Sequence, residues 1–296
     1  REHAVRLEAD GGRRDRLVDR SIDPPEIDIR SAGGTPYAIV IGDTGELLGT
    51  VDQGRAFHQV HPGAIYLHQG EQFEVGELDI VRRVAVVERV DPDHSTEARD
   101  LTDIAIVAEE ETVPCGAVIA RFGTVRVTDQ VNGYARRSVA TGEVIDVIPL
   151  ALPPMHLETR AVWWSLPRDL LDRAGVRPGE LPGSAHAAEH AAIGLLPLIA
   201  TCDRWDIGGV STALHLDVGT AAIFVHDGAP GGSGIVERGF RSVVRWLEAT
   251  LETVRTCPCP RGCPSCVQSP KCGNGNEPLD KHGAIRLLAA MLGREP

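Results

Sequence analysis

Five of the seven cysteines lie within sixteen positions near the carboxyl end of the chain, and the other two stand alone. The cluster consists of Cys257, Cys259, Cys263, Cys266 and Cys272. Thiols at this spacing could form disulfides, a redox-active pair or a tetrahedral zinc site. A disulfide framework suits small secreted domains, and a redox pair needs a C-x-x-C beside a strand and a helix.

Prolines and glycines alternate with these cysteines and favour zinc. Proline fixes φ and glycine permits positive φ, so the backbone makes tight turns that can direct neighbouring sulfurs to one point. The C-P-S-C spacing makes Cys263 and Cys266 the most secure ligands. We predict one structural Zn²⁺ bound by four of the five thiols, namely Cys257, Cys259, Cys263 and Cys266, with Cys272 as the main substitute.

The composition is that of a globular protein of one large domain or two modest ones. The chain has 296 residues, 42% of them hydrophobic and only 4% aromatic, so we expect an aliphatic core. No run of eighteen apolar residues is present to span a membrane, and the first residues lack the apolar centre of a signal peptide. With its clustered cysteines, the chain is predicted to lie in a reducing cytoplasmic compartment.

The charged residues argue against an ATP-binding loop within this chain. The net charge is −12, so nucleic-acid binding would need a local basic surface. Lys271 and Lys281 are the only lysines, and neither follows a glycine or precedes a serine or threonine. A Walker A loop requires Gly-Lys-Ser/Thr. Any ATP-driven activity must therefore come from elsewhere.

Turn signals and apolar patterning predict an α+β fold in three parts. Residues 1–35 read as a connector whose abrupt start suggests a fragment of a longer polypeptide, and 36–150 as a β-rich curved sheet or small barrel. Asn132-Gly133 is a strong hairpin signal within that part. Residues 151–296 read as an α/β subdomain that carries the four-cysteine zinc site.

The elements of the last part surround the cysteine cluster in sequence. We predict a strand or buried edge at 159–167, a buried helix at 184–200 capped by Ser184, and a loop at 202–212. A buried strand at 220–228 then leads through a glycine loop into a helix with apolar positions from 240 to 254. A short helix at 284–292 follows the cluster.

The segment H-A-A-E-H at 186–190 offers a second metal chemistry. His186 and His190 stand at i and i+4 with Glu189 between them, which is the order of the inverted H-x-x-E-H zinc motif. An alternative function is therefore a metal-dependent hydrolase centred on His186, Glu189 and His190. No third ligand is evident from the sequence, and a polar pair satisfied within the fold is the preferred interpretation.

Four segments together resemble a known family. They are GCPSCVQSPKCGNGNEPLDKHGA, AEHAAIGLLPLIATCDRWDIGGVS, IFVHDGAPGGSGIVERGF and HPGAIYLHQGEQFEVGELDI. They resemble the C-terminal part of MrfA/YprA-type superfamily 2 DNA-repair helicases, a group that overlaps with the RecQ-related helicases of fungi. The resemblance spans roughly residues 28–292. It implies that Cys257, Cys259, Cys263 and Cys266 match the most widely shared thiols, whereas Cys272 occurs in closer relatives.

The resemblance also implies partners for the chain, a nucleoid-associated location in the cytoplasm, and that residues 1–35 are a connector from a missing N-terminal motor. Full-length members are ATP-dependent 3′–5′ DNA translocases or helicases with two RecA-like motor domains and a winged-helix domain. The zinc-binding part helps to guide single-stranded DNA and would hydrolyse no ATP alone. A zinc-stabilised protein-interaction scaffold remains a further alternative.

Candidate phosphate contacts are arginines, namely Arg136, Arg137, Arg238, Arg241, Arg245 and Arg261. Trp163, Trp164 and Trp205 could stack on bases, although buried packing is favoured for each.

Overall fold

The computed structural model describes residues 35–295 together with two short strands, β1 (Arg6–Asp10) and β2 (Arg14–Val18). These two strands pair as an antiparallel hairpin. The predicted connector at 1–35 otherwise lies outside the described residues. The division of the chain at residue 150 stays a prediction.

The first large sheet has five strands and a small core of its own. Its strands and helix are β3 (Tyr37–Ile41), β4 (Leu47–Val51), α1 (Gln53–Gln59), β5 (Ile65–His68), β6 (Glu71–Asp79) and β7 (Val84–Val90). The spatial order is β4-β3-β7-β6-β5, and only β3 and β7 run parallel. Ile39, Phe73 and Val87 are fully buried, because alternate residues of these strands face the core.

The second sheet has six strands and is organised by one long antiparallel hairpin. Its strands are β8 (His94–Cys115), β9 (Val118–Ser138), β10 (Val144–Pro149), β11 (Met155–Leu166), β12 (Ile207–Thr212) and β13 (Ala221–Asp227). β8 pairs with one edge of β9 along its length, while β11 and then β10 share the other edge. Three register shifts interrupt the β8–β9 ladder. Bulges bend and twist a strand pair, and the sheet curls into a half-barrel.

Five helices cover the β11 end of this sheet and form the largest core. They are α2 (Arg168–Ala174), α3 (Leu181–Leu195), α4 (Ile235–Arg241), α5 (Val243–Thr256) and α6 (Lys281–Met291). α3 is rich in alanine, and twelve of its residues are buried, so neighbouring backbones approach it closely. Trp164 packs edge-on against Trp246, whose indole N–H donates to Ala192 O at 2.8 Å. The predicted α+β class with a curved sheet is confirmed.

The hairpin predicted at Asn132-Gly133 is wrong. Both residues lie inside β9, and the chain turns later, between Ser138 and Val144, where Ser138 N–H donates to Glu143 O. A Cβ added to Gly133 would come within 2.8 Å of the carbonyl oxygen of Ile148. The glycine therefore serves close approach of two strands rather than a turn.

The segment predicted as a strand or buried edge at 159–167 is the interior strand β11, which pairs with both β9 and β13 and carries Trp163 and Trp164. Three further details differ from the sequence-based expectations. The α3 helix begins at Leu181, so Ser184 is not its cap. The expected loop at 202–212 contains β12. The helix expected through 240–254 is divided at Ser242, whose φ of −123° is not helical.

No helix in the described ranges is both long and apolar enough to cross a lipid bilayer.

The buried His226 on β13 predicts a pH dependence of stability. Burial lowers the pKa of His226 to about 4, from an ordinary value of 6.5. The imidazole of His226 therefore takes up a proton below about pH 6.5 in the unfolded chain, but only near pH 4 in the folded chain. We expect this residue to cost roughly 3 kcal/mol of folding stability as the pH falls across that window.

Denaturant unfolding of the wild type and His226→Gln between pH 7 and pH 4 measures this effect. Protonation of metal-binding thiols weakens both proteins and cancels in the difference. The wild type should lose stability more steeply than the variant as the pH falls. Parallel curves would contradict a neutral buried His226.

Candidate metal centre

Four sulfur atoms converge where α5 ends. The helix ends at Thr256, and the following residue is Cys257. The Sγ atom of Cys257 lies 3.6 Å from that of Cys259 and 3.5 Å from that of Cys263. The Sγ atom of Cys266 lies 3.5 Å from Cys259 and 3.8 Å from Cys263. Zinc–sulfur bonds of about 2.3 Å place tetrahedral ligands about 3.8 Å apart. The four thiols therefore fit Zn²⁺.

A tight turn presents the second pair of thiols. The N–H groups of Cys266 and Val267 both donate to Cys263 O, at 3.0 and 3.2 Å. The backbone N–H of Cys263 in turn donates to Cys266 Sγ at 3.3 Å. Gly262 precedes the turn with φ +122°, and a side chain there would collide with the buried Val267. Hydrogen bonds to sulfur of this kind stabilise a thiolate.

A buried lysine, Lys281, lies beside the four cysteines and offsets the negative charge of their thiolates. Its side chain is only 4% exposed. The ammonium donates to the carbonyl oxygens of Cys257 and Cys259 at 2.6 and 2.7 Å, and it lies 3.5 Å from Cys259 Sγ. Four thiolates around Zn²⁺ carry a net charge of about −2, so a buried cation beside them lowers the cost of desolvation. Sequence reasoning missed this role, although the scarcity of lysine was a signal.

The pKa values of two of the four thiols agree with a site that binds a divalent cation. Burial raises the pKa of Cys259, but hydrogen bonds from Cys266 and Cys257 outweigh it and lower that pKa to about 7. Burial raises the pKa of Cys266 to about 12. Sulfurs this close resist ionising together unless a cation lies between them, and metal binding releases their protons.

Cys272 does not join the four-sulfur cluster. Its Sγ atom lies 3.4 Å from His186 Nε2, and His190 completes a separate group whose potential ligand atoms lie within 4.8 Å of one another. The structure thus separates the fifth thiol from the other four and brings it to the H-A-A-E-H helix. Glu189 lines the same cavity as His186, His190 and Cys272, beside Gly209 and Ser211, and burial raises its pKa to about 7.

Three of the six candidate arginines form ion pairs with carboxylates of the protein. Arg136 donates two hydrogen bonds to Asp146, and Arg137 donates one to Glu97 at 2.6 Å. Arg241 binds both carboxylate oxygens of Glu111 at 2.7 and 2.8 Å. Hydrogen bonds to these acids raise the pKa values of Arg136 and Arg241. Their charges are largely balanced within the protein.

The other three arginines are exposed and form no ion pair with any acidic side chain in the described part of the chain. They are Arg238, Arg245 and Arg261. Arg238 lies on α4 with Arg241, whereas Arg245 lies on α5, because Ser242 separates the two helices.

The tryptophans also divide into two classes. Trp163 and Trp164 are 0% and 1% exposed, so neither can stack on a base, whereas Trp205 is 53% exposed.

Replacing Lys281 should weaken zinc binding without removing a ligand. For Lys281→Met, which keeps the length of the stem, we expect a zinc affinity about 10- to 100-fold lower, because second-layer contacts have effects of this size. Competition with a chromophoric chelator measures the affinity. Arg255→Met removes an exposed cation from the last turn of α5 and should bind zinc like the wild type. Equal affinity of Lys281→Met and the wild type would contradict the electrostatic role.

Comparison with known proteins identifies a zinc-binding family. Residues 188–267 match the family model of the MrfA Zn-binding domain. An uncharacterized ATP-dependent helicase of Bacillus subtilis, YprA, is 29% identical over 86% of this chain. The ATP-dependent helicase HRQ1 of Saccharomyces cerevisiae is 26% identical over 90% of this chain. The chain spans about a third of the length of YprA and about a quarter of HRQ1, at 34% and 26%.

Two further matches cover different parts of the chain. The uncharacterized protein MJ1572.1 of Methanocaldococcus jannaschii is 40% identical over 110 residues, which are 98% of its own length and 36% of this chain. A crystal structure of the DUF1998 helicase MrfA bound to DNA aligns with 96% of this chain and 37% of its own, at 26% identity and a TM-score of 0.61. The chain binds zinc and belongs to the MrfA Zn-binding domain family, and over most of its length it is similar to the C-terminal region of MrfA/YprA-type helicases.

Proposed function

We propose that this chain is the accessory C-terminal region of an ATP-dependent 3′–5′ DNA helicase or translocase that works in DNA repair. In this proposal it binds and guides single-stranded DNA in the cytoplasm, while Cys257, Cys259, Cys263 and Cys266 hold a structural zinc. The alignment with a helicase bound to DNA over 96% of the chain supports it most strongly. RecA-like motor domains and a winged-helix domain are the proposed partners within the full-length protein.

Both lysines have structural roles, which supports a motor located outside this chain. Lys281 contacts the zinc cluster. The Lys271 ammonium donates to the carbonyl oxygens of Arg204, at 3.0 Å, and Ile207. Neither is available to bind the phosphates of ATP in the manner of a P-loop lysine.

An exposed aromatic side chain flanked by basic groups supports contact with unpaired bases. Trp205 stands in a short turn fixed by Asp203 and Asp206, which form a capping box. The Arg55 guanidinium and the Lys271 ammonium lie 5.5 and 5.6 Å from the centre of its ring. An exposed aromatic ring can stack on an unpaired base while a neighbouring guanidinium, here that of Arg55, faces the phosphates.

Among the candidate arginines, those without a carboxylate partner are the strongest phosphate contacts. Arg238, Arg245 and Arg261 offer a whole positive charge to a ligand, whereas Arg136, Arg137 and Arg241 must first leave their acids. With a net charge of −12, most of the surface repels DNA, so a few free arginines define where a strand can bind.

Fluorescence tests the Trp205 contact directly. Trp205 is the exposed member of the four tryptophans, since Trp163, Trp164 and Trp246 are buried. Adding oligo(dT) should quench the emission of the wild type. In fluorescence anisotropy with a labelled strand, Trp205→Ala should bind about tenfold more weakly, because stacking contributes ~1–3 kcal/mol per base.

The matched control removes another exposed apolar side chain. Val81 is 93% exposed on the turn between β6 and β7, and Val81→Ala should bind like the wild type. Binding without quenching, or equal affinity of Trp205→Ala and the wild type, would contradict a base contact at Trp205.

Salt dependence tests the phosphate contacts. Each of Arg238→Gln, Arg245→Gln and Arg261→Gln should reduce the slope of log K against log salt by about 0.7 for single-stranded DNA. Arg136→Gln removes a charge already balanced by Asp146 and should change the slope less. Unchanged slopes in the first three variants would favour the protein-interaction scaffold instead.

A further inference from the structure

We infer that the chain has a second metal site, in which Cys272, His186 and His190 bind Zn²⁺ separately from the four-cysteine cluster. The two histidines lie one turn apart on α3, and the thiol comes from the loop 86 residues later. Their potential ligand atoms lie within 4.8 Å of one another. A tetrahedral zinc holds sulfur and nitrogen ligands about 3.6 Å apart. The Cys272–His186 distance of 3.4 Å is close to that value.

The backbone orients both imidazoles for metal binding. His186 Nδ1 lies 2.9 Å from Pro278 O, and His190 Nδ1 lies 2.9 Å from Val267 O. A carbonyl oxygen only accepts hydrogen bonds, so each Nδ1 carries the proton and each Nε2 keeps its lone pair. Metal-binding histidines use this arrangement, in which the second nitrogen donates to a carbonyl or carboxylate. Both histidines therefore keep a free Nε2, and that of His186 lies 3.4 Å from Cys272 Sγ.

The loop that carries Cys272 is shaped to present a thiolate. The backbone N–H of Asn276 donates to Cys272 Sγ at 3.3 Å, as that of Cys263 does to Cys266 in the first cluster. The Asn276 side chain binds both the N–H and the C=O of Ser269, at 2.7 and 2.9 Å, which closes the loop. A side chain on Gly273 would collide with Asp100 of β8. The sulfur is therefore fixed from both sides of the loop.

A second metal would anchor the part of the loop after Cys266, which carries no ligand of the first cluster. Between Cys266 and Lys281 the chain forms no helix or strand. The Val267 carbonyl that orients His190 directly follows Cys266, so the two sites adjoin. His186, His190 and Cys272 also line a cavity of about 310 Å³. Three protein ligands leave the fourth position of zinc open to water or another small ligand from that cavity.

Thiolate and imidazole donors select a borderline cation. Zinc accepts both, whereas Mg²⁺ and Ca²⁺ prefer oxygen. The order H-x-x-E-H lacked a third ligand in the sequence, and the fold supplies one in Cys272.

Metal counting on the whole chain, purified under reducing conditions, tests this site. Elemental analysis should find two zinc ions per folded wild-type chain and one in each of Cys272→Ser and His186→Gln. Cys202→Ser removes a thiol outside both clusters and should keep two. Circular dichroism establishes that each variant is folded. In Co²⁺-substituted protein, the sulfur-to-metal charge-transfer absorbance reports bound thiolates, and Cys272→Ser should lose about one fifth of it.

The outcomes separate this site from the proposed DNA-binding role. One zinc per wild-type chain, unchanged in Cys272→Ser and His186→Gln, would overturn the second site and leave the first cluster intact. The same holds if Cys272 reacts with iodoacetamide as fast in zinc-loaded protein as in stripped protein. DNA binding is measured independently, so its loss or retention bears only on the proposed function.

Discussion

The carboxyl-terminal part of this protein depends on four sulfur atoms held within bonding distance of one dication. The residues from Cys257 to Asp280 have no regular secondary structure, and few of them are buried. Backbone order costs about 1–2 kcal/mol per residue, and hydrophobic contacts in this segment are too few to offset it. A zinc ion supplies the missing free energy through bonds to Cys257, Cys259, Cys263 and Cys266.

The metal-binding segment contacts elements that are distant in sequence. α5 leads into the cluster, and α6 leaves it at Lys281, whose ammonium contacts the cysteine backbone. α3 packs against both helices, with Asp280 N–H donating to Gly183 O at 3.0 Å. Val267, directly after the last of the four cysteines, is fully buried in the main core. The metal therefore orders a segment that connects α5 to α6 and is anchored in the main core.

Composition and local spacing were sufficient for the fold class and for the four-thiol cluster. Proline and glycine between cysteines within ten residues leave few arrangements of the sulfurs, so Cys257 to Cys266 could be grouped from the sequence. The buried strand at 220–228 was predictable for a similar reason, because β13 begins with five consecutive apolar residues, Ala221 to Val225. Local patterns report local geometry well.

Contacts between distant residues could not be predicted in this way. The partner of Cys272 lies on α3, and the carboxylates that occupy Arg137 and Arg241 lie on β8. The signal at Asn132-Gly133 was misleading, because glycine permits close strand approach as well as a turn. In each case the outcome depends on which strands and helices meet. A single sequence does not contain that information in a local pattern.

The most direct test of this account is the thermal stability of zinc-loaded and zinc-stripped chain under reducing conditions. We predict that chelation lowers Tm by about 10 °C, the size expected when a tightly bound ligand is removed, and that added Zn²⁺ restores it. Zinc-free protein with an unchanged Tm would contradict the central claim. Mass-spectrometric evidence that Cys257, Cys259, Cys263 and Cys266 are paired as cystines would also contradict it.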